Sequence, residues 1–294
     1  MHTRFPMHIM TFDIEDWYHL LQHEETANEG QWSRCEPRIE RNTQRILECL
    51  DEAHVKATFF CLGWVARNHP LIIKAIHAAG HEIGSHSDKH QLVNQQTQTQ
   101  FREDLLRSIR SLEDLTGQKI RAYRAPGFSI TRHSIWAFSV LAENGIEWDS
   151  SIFAARHSHG GLPTFASNVP TIIEHESVRI KEFPVVPGRL LLGQISFSGG
   201  GYFRILPYPV VQRLMRRSDY VKAYFHPRNF DPDQPLVPRL SPQRILKSYA
   251  GLRSSLRKFK ALLKEFSFVS IGQQDDRLGK STDVRAESTR PPIT

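Results

Sequence analysis

Cysteine is scarce in this 294-residue chain: Cys35, Cys49 and Cys61 are the only three, and none forms a C-x-x-C pair. That excludes a disulfide framework and a cysteine-built zinc cage, and leaves ordinary reduced thiols. No stretch approaches the ~18 uncharged apolar residues that a transmembrane helix requires. The segment from Met1 to Asp13 has no apolar run of the signal-peptide kind, so a cytoplasmic location is expected. Acidic residues are missing from one region. Between Arg244 and Lys264 there are Arg244, Lys247, Arg253, Arg257, Lys258, Lys260 and Lys264 without a single Asp or Glu, and these seven cations equal the whole net charge of +7. The basic character is therefore local, and no nucleic-acid partner is expected from it. Ile245, Tyr249, Leu252, Leu256, Phe259, Leu263 and Phe266 recur through the same region at steps of four and three, which predicts amphipathic helix. A solvated basic face is the expected reading of 244–264, with peripheral contact to an anionic lipid or glycan as the alternative. The run Gly199-Gly200-Gly201 lacks a following Lys-Ser/Thr, which excludes a phosphate loop and leaves backbone flexibility or close approach to a sugar.

With 39% apolar residues the chain has material for a sizeable core, and no linker interrupts it before the C-terminal end. One domain is expected over residues 1–272. Its pattern repeats: a short apolar run, a polar residue, a helical stripe, a glycine stop. Ile9 to Phe12 leads into Asp13, Glu82 to Ser85 into His86, Ile120 to Tyr123 into Arg124, Ile146 to Asp149 follows Gly145, and Val221 to Phe225 leads into His226. Such repetition predicts parallel β/α construction, in which chemistry collects at the C-terminal ends of the strands. Phe268 to Ile271 reads as a last strand. Residues 150–207 hold five prolines and the glycine run, and read as an irregular rim insertion; 273–294 read as a disordered tail.

Histidines four residues apart, His86 and His90, share a face if one helical turn joins them, which is metal-ligand spacing. Three carboxylates, Asp13, Glu15 and Asp16, follow the first strand. Two imidazoles and one carboxylate suit a divalent ion with open positions, zinc by default and cobalt or nickel by affinity order. Asp16, as the shorter side chain, is preferred as third ligand, with Glu15 as the alternative.

The order Thr11-Phe12-Asp13-Ile14-Glu15-Asp16, His86-Ser87-Asp88-Lys89-His90, Arg124-Ala125-Pro126 and Tyr224-Phe225-His226 resembles the NodB-homology polysaccharide deacetylases, carbohydrate esterase family 4. The resemblance runs over roughly residues 8 to 272. The first motif departs from the usual Asp-Asp-Gly, and Tyr224 stands where the family has Leu. Asp13-Ile-Glu-Asp-Trp with Phe203-Arg-Ile-Leu-Pro and Phe225-His-Pro is similar to the branch found beside bacterial exopolysaccharide (exosortase-type) clusters. The resemblance implies a distorted parallel (β/α) barrel of about seven strands. It also implies metal-dependent removal of an N-acetyl group from an amino sugar in a polysaccharide or glycan precursor, with release of acetate.

By the same resemblance Asp13 is the base, Arg124 holds it ionised, a backbone N–H at Gly127 stabilises the oxyanion, and His226 is the general acid with Asp149 as its partner. Asp231 and Asp233 are rivals for that partner role, though their Asp-Pro spacing favours a turn. Trp17, Phe128 and Tyr202 are candidate sugar-stacking aromatics, with Phe153 a further one; His77, His157, His159 and His175 read as structural or exposed. Two other functions compete. An allantoinase-like hydrolase of small amides shares the Asp-Ile-Glu segment, and a catalytically silent glycan- or membrane-binding protein would use the basic region alone.

Overall fold

The structure, a computed structural model, describes residues 7–190 and 193–280. Its centre is β1 (Met7–Ile14), whose side chains are buried from His8 onward because a strand lies on each side of it. The other strands are β2 (Thr58–Cys61), β3 (Glu82–Ser85), β4 (Ala122–Tyr123), β5 (Trp148–Asp149), β6 (Thr171–His175), β7 (Val178–Glu182), β8 (Gly188–Leu190), β9 (Gly193–Ile195) and β10 (Tyr220–Phe225). Eight of them make one sheet in the order β10-β1-β2-β3-β4-β5-β7-β6, parallel except for the β6–β7 hairpin, while β8 and β9 pair separately. The result is a distorted, open (β/α) barrel with eight strands rather than the expected seven. Since β1 to β5 and β10 run the same way, their C-terminal ends open on one face.

The helices are α1 (Glu29–Trp32), α2 (Ile39–Glu52), α3 (Gly63–Asn68), α4 (Pro70–Ala78), α5 (Gln98–Thr116), α6 (Ala137–Glu143), α7 (Gly200–Ile205), α8 (Tyr208–Arg216), α9 (Pro242–Tyr249), α10 (Leu252–Glu265) and α11 (Ile271–Lys280). Local chemistry sets their ends. Pro70 opens α4, where a missing N–H costs nothing, and a Thr97–Gln100 capping box opens α5, which stops at Gly117 with φ 67°.

Among the described residues no ladder joins β10 to β7: Gly199 makes a single bridge to Tyr224, and side chains span the rest. Lys222 on β10 reaches across to donate to the Phe183 carbonyl and the Ser150 hydroxyl, and the Tyr220 hydroxyl donates to the Pro184 carbonyl at 2.9 Å.

Two boundaries differ from expectation. Phe268 to Ile271 is not a full strand: Val269 makes a single bridge to Ile9. The tail expected from 273 begins as α11, because Asp275 accepts from Trp148 Nε1 at 3.1 Å and pairs with Lys181. The remainder of the expected tail, from 281, lies outside the described residues.

Candidate metal centre and active site

At the end of β1 the chain turns, with Glu15 N–H donating back to the Asp13 carbonyl at 3.1 Å. The turn separates two adjacent carboxylates. Glu15 faces the barrel mouth, where one oxygen lies 2.5 Å from His90 Nε2 and the other 3.2 Å from His226 Nε2. Asp16 faces the other way and accepts from the backbone N–H groups of Trp17, Arg38 and Ile39 at 2.7, 2.7 and 3.0 Å. The preference for Asp16 beside the histidines is therefore corrected. Its short side chain is spent holding the start of α2, and Glu15, the alternative, joins His86 and His90 in a buried cluster whose ligand atoms all lie within 4.8 Å of one another.

The histidine pair is not on a helix. Ser87 and His90 take positive φ values of 71° and 56°, and the loop they form brings the two rings to 5.3 Å, centroid to centroid. Asp104 on α5 fastens that loop by accepting from the N–H groups of Asp88 and Lys89, and Arg67 pairs with Asp88 at 2.5 Å. His86 Nδ1 lies 2.8 Å from the Arg124 carbonyl, so that nitrogen carries the proton and Nε2 keeps a free lone pair. Burial pushes the His86 pKa down to about 4, which keeps the ring neutral, as a ligand must be.

Glu15 Oε2 is buried and has no hydrogen-bond geometry with any group, despite its closeness to His90. A buried carboxylate oxygen crowded against an imidazole nitrogen fits a pair of donors converging on a cation. Burial would raise the Glu15 pKa, but His90 and His226 outweigh it and hold the carboxyl well below its usual range.

Asp13 sits beside this cluster. Arg124, fully buried, donates to Asp13 Oδ1 at 2.6 Å, to Thr11 Oγ1 at 2.9 Å and to Ser150 Oγ at 2.9 Å. Burial opposes the charge on Asp13, and the Arg124 guanidinium, with His86 and His226, overcomes it and keeps the carboxyl below its ordinary value. His226, at the end of β10, approaches Asp13 Oδ2 at 3.6 Å.

Its partner is not Asp149. Asp149 accepts from Ser151 Oγ at 2.7 Å and Ser151 N–H at 3.0 Å, and it neighbours Glu182, a buried group whose pKa burial and Asp149 together push up. His226 Nδ1 instead lies 3.4 Å from Asn229 Oδ1, which also accepts the His226 N–H at 2.8 Å. Asp231 is bound to Arg38, Arg41 and Asn42, and Asp233 donates its N–H to Asp231 Oδ1, so both rivals belong to a separate structural cluster.

The cleft over these residues, about 190 Å³, is lined by Gly127 and Phe128 and also by His19, His157, His159, Tyr224 and Arg244. His157 and His159 thus border the site and are not remote. Gly127 takes φ 61° where a Cβ would meet Leu21 at 2.8 Å, so its bare backbone reaches the cleft. Trp17 is buried with its indole N–H on the Glu36 carbonyl, and Tyr202 lies on α7 outside the lining, which leaves Phe128 as the one of the three named aromatics that borders the site. Phe153 packs behind Phe128 at 5.6 Å.

The glycine run has a packing cause. A Cβ at Gly199 would lie 2.1 Å from the Tyr224 ring, and one at Gly200 would lie 2.3 Å from Asn229 Oδ1, so both glycines make room for site residues. Asn229 and Lys222 escaped the sequence reading, and Tyr224 entered it only as the residue before Phe225-His226 that departs from the family's Leu. The only signal for Asn229 was its position three residues after His226, where it closes a capping box.

Beside the cleft, and sharing Leu20, Leu21 and His90 with it, runs a groove of about 710 Å³ whose lining is rich in amide residues, Gln22, Asn28, Gln91, Gln95, Gln96 and Gln100, beside the ion pair Lys89–Glu29 at 3.5 Å.

Residues 7–146 match the polysaccharide deacetylase family, and residues 150–275 match a domain of unknown function, DUF3473. A peptidoglycan-N-acetylglucosamine deacetylase of Bacillus cereus is 30% identical over 106 residues, 36% of this chain and 34% of that protein. The chain thus spans about a third of the length of the curated relatives it matches. Among solved structures, one from Mycobacterium smegmatis described as a polysaccharide deacetylase has a TM-score of 0.64 at 21% identity, covering 98% of this chain and 94% of that one. PuuE allantoinase has a TM-score of 0.61 at 14% identity, covering 97% and 94%. The two solved structures share the fold, and it is residues 7–146 of this chain, the part that holds the Asp13, His86, His90 and Arg124 strand ends, that match the polysaccharide deacetylase family.

Proposed function

We propose that the protein hydrolyses the N-acetyl group of an amino sugar within a glycan, releasing acetate, and that it does so with a divalent metal ion, zinc by default. The observation that carries this reading is the convergence of Glu15, His86 and His90 beside a buried Asp13–Arg124 pair, with His226 facing both carboxylates.

Glu15, His86 and His90 would hold the ion. A divalent cation there supplies Lewis acidity, lowering the pKa of water and polarising the acetyl carbonyl. Asp13, kept ionised by Arg124, takes the proton from the attacking water. The Gly127 backbone N–H meets the developing oxyanion, and His226, steadied through Nδ1 by Asn229, delivers a proton from Nε2 to the leaving amine. Asp149 acts at a distance: it fixes Ser151, which accepts from the Ala125 N–H at 2.8 Å in the segment leading to Gly127.

The amide-lined groove favours a glycan over a small cyclic amide. Carboxamides match the hydroxyl and acetamido groups of a neutral sugar chain, whereas a small amide would occupy the cleft alone. The resemblance to exopolysaccharide-locus proteins is in keeping with a polymer or a lipid-borne precursor.

The deciding experiment strips metal with a chelator, restores zinc, cobalt or nickel, and measures acetate released from an N-acetylated oligosaccharide and, separately, hydrolysis of allantoin. Metal-restored acetate release supports the reading. Turnover of allantoin alone would replace it with the small-amide hydrolase.

A further inference from the structure

The region without acids divides at Gly251 into two helices with different fates. α10 buries Phe259, Leu262 and Leu263 against the barrel, as an amphipathic helix should, whereas α9 buries nothing although Ile245, Leu246 and Tyr249 are among its eight residues. Ile245 is 42% exposed and Leu246 63%. They are not alone: of the eight large apolar side chains exposed on the described surface, five fall on α7, α9 and the adjoining loop, namely Tyr202, Ile205, Leu236, Ile245 and Leu246. These segments are tied together. Arg204 on α7 donates to the carbonyls of Lys247, Ser248 and Ala250, and the Tyr249 hydroxyl accepts from the Val237 N–H at 2.9 Å and donates to the Pro235 carbonyl at 3.0 Å. The patch is thus held in place by partly buried polar contacts, and its apolar side chains are exposed.

We infer that this α7–α9 surface docks on a bilayer containing anionic phospholipid. Charge selects the partner. Lys247, Arg253 and Arg257 are exposed and have no ion-pair partner among the described residues; the ion pairs nearby, Arg216–Glu265 and Lys260–Glu52, use other cations. A second copy of the chain meeting this face about a twofold axis would set those cations against each other. A lipid surface accepts both components, taking apolar side chains into the acyl boundary and cations at the headgroups.

The position of the patch gives docking a consequence. Arg244 of α9 lines the catalytic cleft and donates to the Leu21 and Gln22 carbonyls at its rim, so docking sets the mouth of the site at the lipid surface. Resting on the deacetylase reading, this makes the preferred substrate an N-acetylated glycan carried on a membrane lipid.

The test uses the full chain, sedimented with vesicles of phosphatidylcholine alone or mixed with phosphatidylglycerol. Binding is expected only to the mixed vesicles and should weaken with salt. Lys247→Ser should weaken it about fivefold and Leu246→Ser about tenfold, with turnover of a soluble N-acetylated oligosaccharide unchanged in both. Failure of the unaltered protein to bind mixed vesicles, or equal binding by both variants, overturns the proposal. So does a dimer that Leu246→Ser dissociates in the absence of vesicle binding. If the soluble sugar is not turned over at all, the deacetylase reading fails while the vesicle result still decides docking.

Discussion

The two halves of the sheet serve the site by different means. From β1 to β4 the strands are joined by backbone pairing, and the C-terminal ends of β1, β3 and β4 hand polar groups to the mouth: Asp13 and then Glu15 after the turn, His86, Arg124. Beyond β5 the pairing runs on through β7 and β6 without joining β7 to β10 among the described residues. There, β10 and β7 are joined by Lys222 and Tyr220, and the groups that matter, Asn229, Asp149 and Glu182, work by orienting others. A ladder fixes position through the backbone, so the side chain at its end is free for chemistry. A gap bridged by side chains spends them on structure.

That contrast predicts that substitutions at the strand ends, His226 of β10 included, abolish function and that those at the orienting groups of the second half tune it. The largest effect belongs to the ligands. Glu15→Gln, His86→Ala and His90→Ala should each lose metal and turnover, while Asp16→Asn keeps its metal and loses stability by roughly 1–3 kcal/mol from its weakened hold on the Arg38 and Ile39 N–H groups. Metal analysis of the purified variants reads this directly, and full metal in Glu15→Gln would break the assignment.

Next come the proton-transfer groups, one from each half. Asp13→Asn should retain metal and fold yet lose roughly 10²–10⁴ in kcat. His226→Ala should lose a similar factor on an N-acetyl sugar but recover on an activated acetyl ester, whose leaving group needs little protonation. Equal recovery of both variants, or of neither, would mean that the two roles are misassigned.

A smaller loss is expected at Asn229→Ala. Removing one oriented hydrogen bond from His226 should lower kcat about tenfold with metal content unchanged. Asp149→Asn, if it slows turnover, should do so without the leaving-group dependence that marks His226.

The smallest effect is at Glu182. Burial and Asp149 raise its pKa, and a group raised in this way favours folding below its unfolded pKa and ceases to as the pH rises through the folded value. Glu182→Gln should therefore cost less than about 1 kcal/mol at neutral pH, since the amide can still accept from Ile152 N–H and donate to Asp149. The variant should also show a flatter decline of melting temperature on the alkaline side. A large loss at neutral pH would mean that Glu182 is ionised, with Lys222 as its counterion.

Much of the first half was legible because a parallel strand ends where its apolar run ends, and the next residue must face the mouth. Asp13, His86, Arg124 and His226 could be placed from that rule alone. Glu15 and Asp16 could not be told apart, since an extended strand and a turn at Ile14 assign them to opposite faces and only the bond from Glu15 N–H to the Asp13 carbonyl selects the turn. His86 and His90 come together for a reason other than helix, namely two left-handed residues in a loop anchored by Asp104.

The sequence by itself determined the order of strands and helices, the set of groups able to bind a cation, and the concentration of positive charge between 244 and 264, because periodicity and composition are local properties. Tertiary structure alone decided which carboxylate meets the histidines, that Asn229 rather than Asp149 supports His226, that Gly199 and Gly200 make room for Tyr224 and Asn229, and that α10 is packed while α9 is bare. Each of those depends on what lies opposite a residue across the barrel, and residues far apart in the chain are brought opposite one another only when the sheet curves.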